Sequence, residues 1–482
     1  MIMTEKCVIY IYPNRTLGKV SPYIFGHFIE HLGRCIYGGI YVDETSPLPN
    51  IKGYRKDVLD SVKAINPTIV RWPGGNFASG YHWEDGIGPK ERRPVRYDLA
   101  WGQEETNQFG TNEFIEWVRL VGAEPLIVVN AGNGTPEEAA KWVEYTNKNG
   151  NTYYSNLRKK YGYEKPFNVK FWGIGNELYG KWQVGYCLDE KECARRTIEF
   201  ANEMKKVDPK IKLIAVGDAD NSIWNYWMVR EAGEYFDYLS IHTYIGENPY
   251  LEHVAMSELI KTKIEDTFHM IREGLKDAGL NKKIWIAYDE WNIWKREAVA
   301  PELVQITDLG DAILTAAILN TFIKFSSMVK MANFAQLVNV LPLILTKNTG
   351  EILLTPQYYV FYMYANNFGV NAIESRVYSN YYYSKKFGKY IDYIDVAATE
   401  DDNRIYVYIV NRDKEEDYVC DIFMKDFDVK PVKQIVLTGE HPNDRNDWDN
   451  REKVRPVEKT MKPKLDKITI PKHSVNLIVF EK

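Results

Sequence analysis

VKFWGIGNE, residues 169–177, is the stretch on which the reading of the fold turns. It is short, dense in apolar residues, and stops on Gly-Asn-Glu. Strands buried on both faces look like this, because covering helices remove any need for alternation with polar residues. Seven further runs have the same character: PYIFGHF (22–28), TIVRWPGG (68–75), PLIVVNAG (125–132), LIAVGDA (213–219), YLSIHTY (238–244), IWIAYDE (284–290) and MANFAQLV (331–338). Between them, TNEFIEWVRLVG (111–122), ECARRTIEFANEMKKVD (192–208) and SELIKTKIEDTFHMIREGLKDAG (257–279) place apolar residues three and four apart with charges in between, the pattern of amphipathic helices. Asp208-Pro209 and Gly279 are stop signals for the last two. Eight strands alternating with helices predict an α/β fold, a (β/α)8 barrel over residues 20–367.

Beyond residue 368 the pattern changes. YIDVAATE (393–400), RIYVYIVNR (404–412), CDIFMKD (420–426), KQIVLTG (433–439), KITIPKH (467–473) and SVNLIVFEK (474–482) are short β-rich runs with no convincing helix among them. They predict a jelly-roll-like β-sandwich over 368–482. The opening run CVIYIYPNR (7–15) reads as one more strand, so segment 1–19 is expected to join the sandwich. The charged stretch 441–464 is expected to be a long loop.

Composition excludes several function classes. A net charge of −5 with no basic run argues against nucleic-acid or anionic-membrane partners. The start carries an acid at Glu5 and only five consecutive apolar residues after Cys7, which is no secretory signal, and no run approaches a membrane span. Five cysteines, Cys7, Cys35, Cys187, Cys193 and Cys420, include no C-x-x-C pair and read as buried free thiols. A cytoplasmic location is therefore expected. Thirty-four tyrosines and thirteen tryptophans hint at sugar stacking, although core packing alone uses many aromatics.

Barrel chemistry sits where strands end at the C-terminal face. Two expected strand ends carry acids there: Asn176-Glu177 on the fourth and Asp289-Glu290 on the seventh. Two carboxylates on one barrel face supply what glycoside hydrolysis needs, a proton donor and a nucleophile or water activator. A strand-end acid is ordinarily just solvated or caps a helix. Here Trp172, Asn176, Trp291, Asn292 and Trp294 surround the pair in sequence.

The strings PYIFGHFIEHLGRCIYGG, VRWPGGNFASGYHWEDGIGP, WGIGNE, IHTY, YDEWN and AQLVNVL, in this order from about residue 20 to 345, resemble the α-L-arabinofuranosidases of glycoside hydrolase family 51. That resemblance implies a retaining hydrolase releasing terminal α-L-arabinofuranosyl units from arabinosides, arabinan and arabinoxylan oligosaccharides. It implies Glu177 as acid/base and Glu290 as nucleophile. It also implies that Glu30, Asn76, Asn176 and Gln336 contact the sugar, that Arg71 and Tyr244 flank the nucleophile, and that Trp101 and Trp294 wall the pocket. His242, beside Tyr244 at a strand end, is expected to be a hydrogen-bonding subsite residue. No cofactor and no metal is needed, and a homo-oligomer, a hexamer by resemblance, is implied. A nucleophile has to stay ionised, which a neighbouring cation such as Arg71 favours. The acid/base has to start protonated, so a raised pKa is expected at Glu177.

Two rivals stand beside this reading. A clan relative acting as a β-xylosidase or endo-β-glycanase would use the same acids, and one pocket could take both an arabinofuranose and a xylopyranose. A non-catalytic glycan-binding protein would have no use for both acids. His27-x-x-Glu30-His31 matches an inverted zinc-protease string, but it continues an apolar strand rather than a helix. LVNVLPLI departs from the family's usual ending in the segment bordering the leaving-group side.

Overall fold

The computed structural model describes residues 5–462 and 467–482. Eight parallel strands close into a barrel in chain order: Gly26–Phe28, Ile69–Trp72, Glu124–Val129, Phe171–Ile174, Lys212–Val216, Tyr238–Ile245, Trp285–Ile293 and Val329–Ala335. Each lies within or overlaps one of the eight apolar runs, so the barrel agrees with the sequence reading. The first is shorter than its run, because Pro22–Phe25 forms a 3-10 helix in which the Ser21 side chain accepts from the Tyr23 amide. That turn delivers Tyr23 to the bottom of the barrel, edge-on to Phe171 with ring centroids 5.0 Å apart. Ile69, Leu126, Phe171, Ile214, Ala287 and Met331 fill the same layer. The period of two along a strand then puts Arg71 above Ile69 and Asp289 above Ala287, so an apolar floor carries a polar layer.

Strand seven departs from simple alternation. Ser240 and His242 of strand six pair with Ala287 and Glu290 of strand seven, and Ala332 and Phe334 of strand eight pair with Tyr288 and Trp291. Strand seven therefore holds one more residue than either neighbour at this level. Such a bulge re-aims side chains. Here Asp289 and Glu290, adjacent in sequence, both reach the barrel mouth. The strand does not end at Glu290 as the sequence suggested; it runs on to Ile293.

Among the described residues the C-terminal region is built on a nine-stranded sheet, with a separate antiparallel pair formed by Tyr381–Ser384 and Lys389–Asp392. The strand Glu5–Lys19 lies inside the nine-stranded sheet, antiparallel to Asn371–Tyr378 and parallel to Tyr418–Met424. Alternation sorts its faces: Ile405, Val407 and Ile409 join Ile9, Ile11 and Ile422 in an inner core, while Tyr406, Tyr408 and Val410 pack toward the barrel. The stretch expected to be a loop at 441–464 contains a strand, Val457–Thr460, paired with Lys433–Val436. It extends the edge of the sheet, where a short charged strand is tolerated; residues 463–464 lie outside the described residues.

Between barrel and sheet runs the helix Leu309–Lys324, buried from Leu309 through Ile323. It is apolar on all sides because both bodies cover it. Asp395 of the sheet clasps its end, receiving Lys324 Nζ at 2.6 Å and Asn320 Nδ2 at 2.7 Å. All five cysteines are buried free thiols. Among the described residues, no helix is long and apolar enough to cross a membrane.

Candidate active site

The ends of six barrel strands converge on one pocket. Arg71, at the end of strand two, donates from Nη1 to Glu290 Oε1 at 2.5 Å and from Nη2 to Asn176 Oδ1 at 2.6 Å. Tyr244 donates to the other oxygen, Glu290 Oε2, at 2.7 Å. With both oxygens held, the carboxylate has one orientation. The backbone comes equally close: a Cβ on Gly75 would lie 2.9 Å from Glu290 Oε1, and one on Gly74 would lie 2.6 Å from Glu30 Cγ. The PGG motif is thus a requirement of space, since any side chain there meets an acid.

Glu177 follows strand four after Gly175, whose φ is +77°, and is itself in the left-handed region at φ +42°. For a residue with a Cβ this costs roughly 1–2 kcal/mol. It aims the carboxylate back over the barrel. His242 Nδ1 lies 2.9 Å from Glu177 Oε1, and Trp182 Nε1 donates to Oε2 at 3.1 Å. The far side of the imidazole meets Ser240 Oγ at 3.1 Å and Asp289 Oδ1 at 3.3 Å. Ser240, His242 and Tyr244 alternate along strand six, so all three face the mouth.

Glu30, just past strand one, accepts at Oε1 from the amides of Gly75 and Phe77, each at 3.0 Å, and from Trp101 Nε1 at 3.1 Å. Its Oε2 accepts from Gln336 Nε2 at 3.0 Å. Gln336 Oε1 is buried with no partner among the described residues. Asn76 Oδ1 accepts from Asn176 Nδ2 at 3.4 Å and from Gln183 Nε2. Trp294 stands edge-on to Tyr244 with centroids 5.3 Å apart and donates to the Ala298 carbonyl at 2.9 Å. All eleven residues singled out in the sequence therefore line or adjoin one pocket. Three neighbours, Ser240, Trp182 and Gln183, escaped that reading, and Asp289 entered it as a strand-end acid with no role. Asp289 needed the bulge, Ser240 needed its role as a link, and Trp182 and Gln183 sit on an irregular loop with no periodic signal.

The electrostatics differ from expectation at one place. Burial pushes Glu177 up, but the hydrogen bond and charge of His242 outweigh it, and its pKa ends below the ordinary value. The expectation of a raised Glu177 is thus overturned. Its partner moves the other way. Burial would lower His242, yet the charge of Glu290 and the bonds to Asp289 and Glu177 raise it to about 10. The Glu177–His242 pair therefore holds one proton at neutral pH, resting on the imidazole. Glu30 is raised to about 7, first by burial, partly offset by the Phe77 amide, and further by Glu290.

Ligating atoms of Glu177, His242 and Glu290 all lie within 4.8 Å of one another, a spacing a cation could share. Arg71 already supplies a positive charge at 2.5 Å, and protonated His242 a second, so a metal would face repulsion there. The histidines of the His27-x-x-Glu30-His31 string are taken up structurally. His27 packs on Phe361 and burial lowers it to about 3, while His31 accepts from Trp72 Nε1 at 3.0 Å and meets Glu105 at 2.7 Å.

Comparison with known proteins points the same way. Residues 61–259 match the α-L-arabinofuranosidase 1 domain, and residues 289–474 match the α-L-arabinofuranosidase C-terminal domain. The chain is 35% identical to α-L-arabinofuranosidase C of Emericella nidulans, covering 98% of this chain and 96% of the relative. It is 36% identical to the intracellular exo-α-(1→5)-L-arabinofuranosidase of Halalkalibacterium halodurans, covering 94% of each. The solved arabinose complex of the Thermotoga maritima α-L-arabinofuranosidase superposes with a TM-score of 0.91 at 42% identity, over 99% of this chain and 100% of that one.

Proposed function

The chain belongs to the α-L-arabinofuranosidases of glycoside hydrolase family 51, and from that premise we propose that it releases terminal arabinofuranosyl units by double displacement, with Glu290 as nucleophile and Glu177 as acid/base. One observation carries the reading: carboxyl oxygens of Glu177 and Glu290 lie within 4.8 Å of each other. Retaining glycosidases hold their carboxyl groups about 5–5.5 Å apart, whereas inverting ones leave a wider gap for water.

Glu290, oriented by Arg71 and Tyr244, attacks the anomeric carbon as Glu177 gives a proton to the departing oxygen. The resting position of that proton fits the timing. The charge of Glu290 is the main factor raising His242, and attack consumes that charge. The imidazolium becomes more acidic just as Glu177 has to donate, and the proton passes along the 2.9 Å contact. In the second step Glu177 deprotonates water and the proton returns. Glu30 and Gln336 grip the sugar hydroxyls, Asn76 and Asn176 lie beside them, and Trp101 and Trp294 wall the ring.

The aglycone is taken to be an arabinan or arabinoxylan oligosaccharide, with α-(1→5) linkages favoured by likeness to the Halalkalibacterium halodurans enzyme. That relative is named intracellular, which supports a cytoplasmic site of action here too. By family resemblance the chain is also taken to form a homo-oligomer, and its sedimentation velocity tests this. Side-by-side rates on nitrophenyl arabinofuranoside and nitrophenyl β-xyloside measure the expected xylosidase side activity.

Azide tests the two acids. Glu177→Ala should form glycosyl-enzyme from a nitrophenyl arabinofuranoside and be rescued by azide to an arabinosyl azide of retained configuration. Glu290→Ala should show no retaining turnover with or without azide. An inverted azide product from Glu290→Ala alone is the expected sign of a nucleophile at 290, whereas an inverted product from Glu177→Ala would exchange the assignments.

A further inference from the structure

Of the thirteen tryptophans, Trp182 alone is exposed, at 63%. An indole left in water forgoes the burial that usually recommends this residue to a fold. Other surface tryptophans are covered: Lys191 lies over Trp227 at 4.3 Å and Arg230 at 4.7 Å, and Lys347 lies over Trp448 at 4.4 Å. Such long side chains shield an aromatic face from solvent. Trp182 is held differently. Its turn is closed by the Gly180 amide, which donates to the Glu177 carbonyl at 2.7 Å, and by the Gln183 amide, which donates to the Gly180 carbonyl at 3.0 Å. The ring lies against Gly180, where an added Cβ would run into the indole. Tyr179 stands edge-on to it with centroids 6.0 Å apart, and is itself edge-on to the buried Trp224. The indole is therefore fixed from the protein side and open to solvent over most of its area.

Its position gives that open area a use. Two side chains hydrogen-bond the Glu177 carboxyl: His242, which is 8% exposed, and Trp182, whose Nε1 donates to Oε2 at 3.1 Å. The His242 side faces Glu290 and the buried sugar pocket. The Trp182 side faces solvent. An aglycone is bonded to the oxygen that Glu177 protonates, so its first ring rests within about one ring width of that carboxyl. It also has to leave toward solvent, which is where the indole stands. With Nε1 taken by Glu177, the rest of the indole offers an apolar face and no free donor. Such a surface suits the C–H face of a neutral sugar ring.

We propose that the open face of Trp182 is the platform on which the leaving sugar stacks, so that the residue hydrogen-bonded to Glu177 also selects the aglycone. The inference rests on the reading of Glu177 and Glu290 as the catalytic pair. A sugar ring on the departing oxygen gains a contact that a small alkyl group cannot make, and that contact brings the glycosidic oxygen to the proton donor. Gly180 and Tyr179 act through Trp182, as positioning residues.

Two substrates test this on the full-length enzyme. Methyl α-L-arabinofuranoside and α-(1→5)-arabinobiose both expel a poor alcohol leaving group, so they need similar acid help and differ in whether the aglycone can stack. Wild-type kcat/KM should be about ten-fold higher on the disaccharide, the scale of one aromatic stacking contact. In Trp182→Ala both substrates lose the N–H bond to Glu177, and arabinobiose should lose about ten-fold more than the methyl glycoside. Trp182→Phe lacks the N–H but keeps a ring, so its losses on the two should agree to within about two-fold. Equal losses in Trp182→Ala, or a wild type without preference for arabinobiose, overturn the proposal. Equal losses with a changed sedimentation coefficient overturn it too, by assigning the ring to a contact between copies of the chain. A wild type that turns over neither glycoside removes the catalytic reading and the platform with it, whereas turnover without preference removes the platform alone.

Discussion

The imidazole of His242 bridges the two carboxylates: Nδ1 lies 2.9 Å from Glu177 Oε1 and 3.7 Å from Glu290 Oε1. Removing it takes away the proton's resting place without altering Glu290, the proposed nucleophile. His242→Asn should therefore slow substrates with poor leaving groups by roughly 10²-fold, the usual scale of general-acid assistance. Nitrophenyl substrates, which need little acid help, should lose much less. The basic limb of the pH–rate profile should also move to lower pH, because the pair would no longer keep its proton toward pH 10. Equal losses on both substrates and an unmoved limb would show that His242 is only packing.

Glu30 is raised to about 7, by burial above all, so it titrates within the working range. Its ionised form accepts sugar hydroxyls better than its neutral form. The KM for arabinosides should rise as pH falls through about 7, while kcat changes less. Glu30→Gln should raise KM above that pH and flatten its pH dependence. A wild-type KM independent of pH across this window would refute the assignment.

Gly75→Ala places a methyl 2.9 Å from Glu290 Oε1, on the side where Asn176 also sits at 3.3 Å. Glu290, the proposed nucleophile, has to move, and misplacement by about 1 Å costs on the order of 10²-fold in rate. We expect that loss in kcat with an unchanged circular dichroism spectrum and melting temperature within a few degrees. Full activity in Gly75→Ala would mean that the carboxylate position is not critical.

Asp395 ties the sheet to the helix Leu309–Lys324. Burial would raise its pKa, but the charges of Lys324 and Arg412 outweigh it and hold it near 2. With its folded pKa below the unfolded value, its contribution is fully present above about pH 4 and is lost as pH falls toward 2. At 1.36 kcal/mol per pKa unit, the stake is about 2 kcal/mol. Asp395→Asn should lower the urea-unfolding free energy at neutral pH by about that amount and by much less near pH 2, where the native carboxylate is itself protonating. An equal loss at both pH values would assign the effect to packing instead of charge.

Much of this protein is legible from its residues. The eight apolar runs needed no register to announce a barrel, because strands covered on both faces lose their polar residues. Alternation on strand six was also readable: spacing two apart puts His242 and Tyr244 on one face. The acids at 177 and 290 were found by asking what sits at strand ends.

What the sequence determined by itself is composition and periodicity, and with them the barrel, the sheet region and the acids at two strand ends; the other polar residues of the mouth came from the motifs that resemble the family. The tertiary structure alone decided three things. The extra residue in strand seven depends on pairing with both neighbours, so only the closed barrel shows why adjacent Asp289 and Glu290 reach the same site. The reach of Trp182 and Gln183 depends on an irregular loop whose path no period encodes. The proton on the His242 side of its pair with Glu177 depends on Coulomb interactions that fall off with distance, and residues 65 positions apart have no distance until the chain is folded.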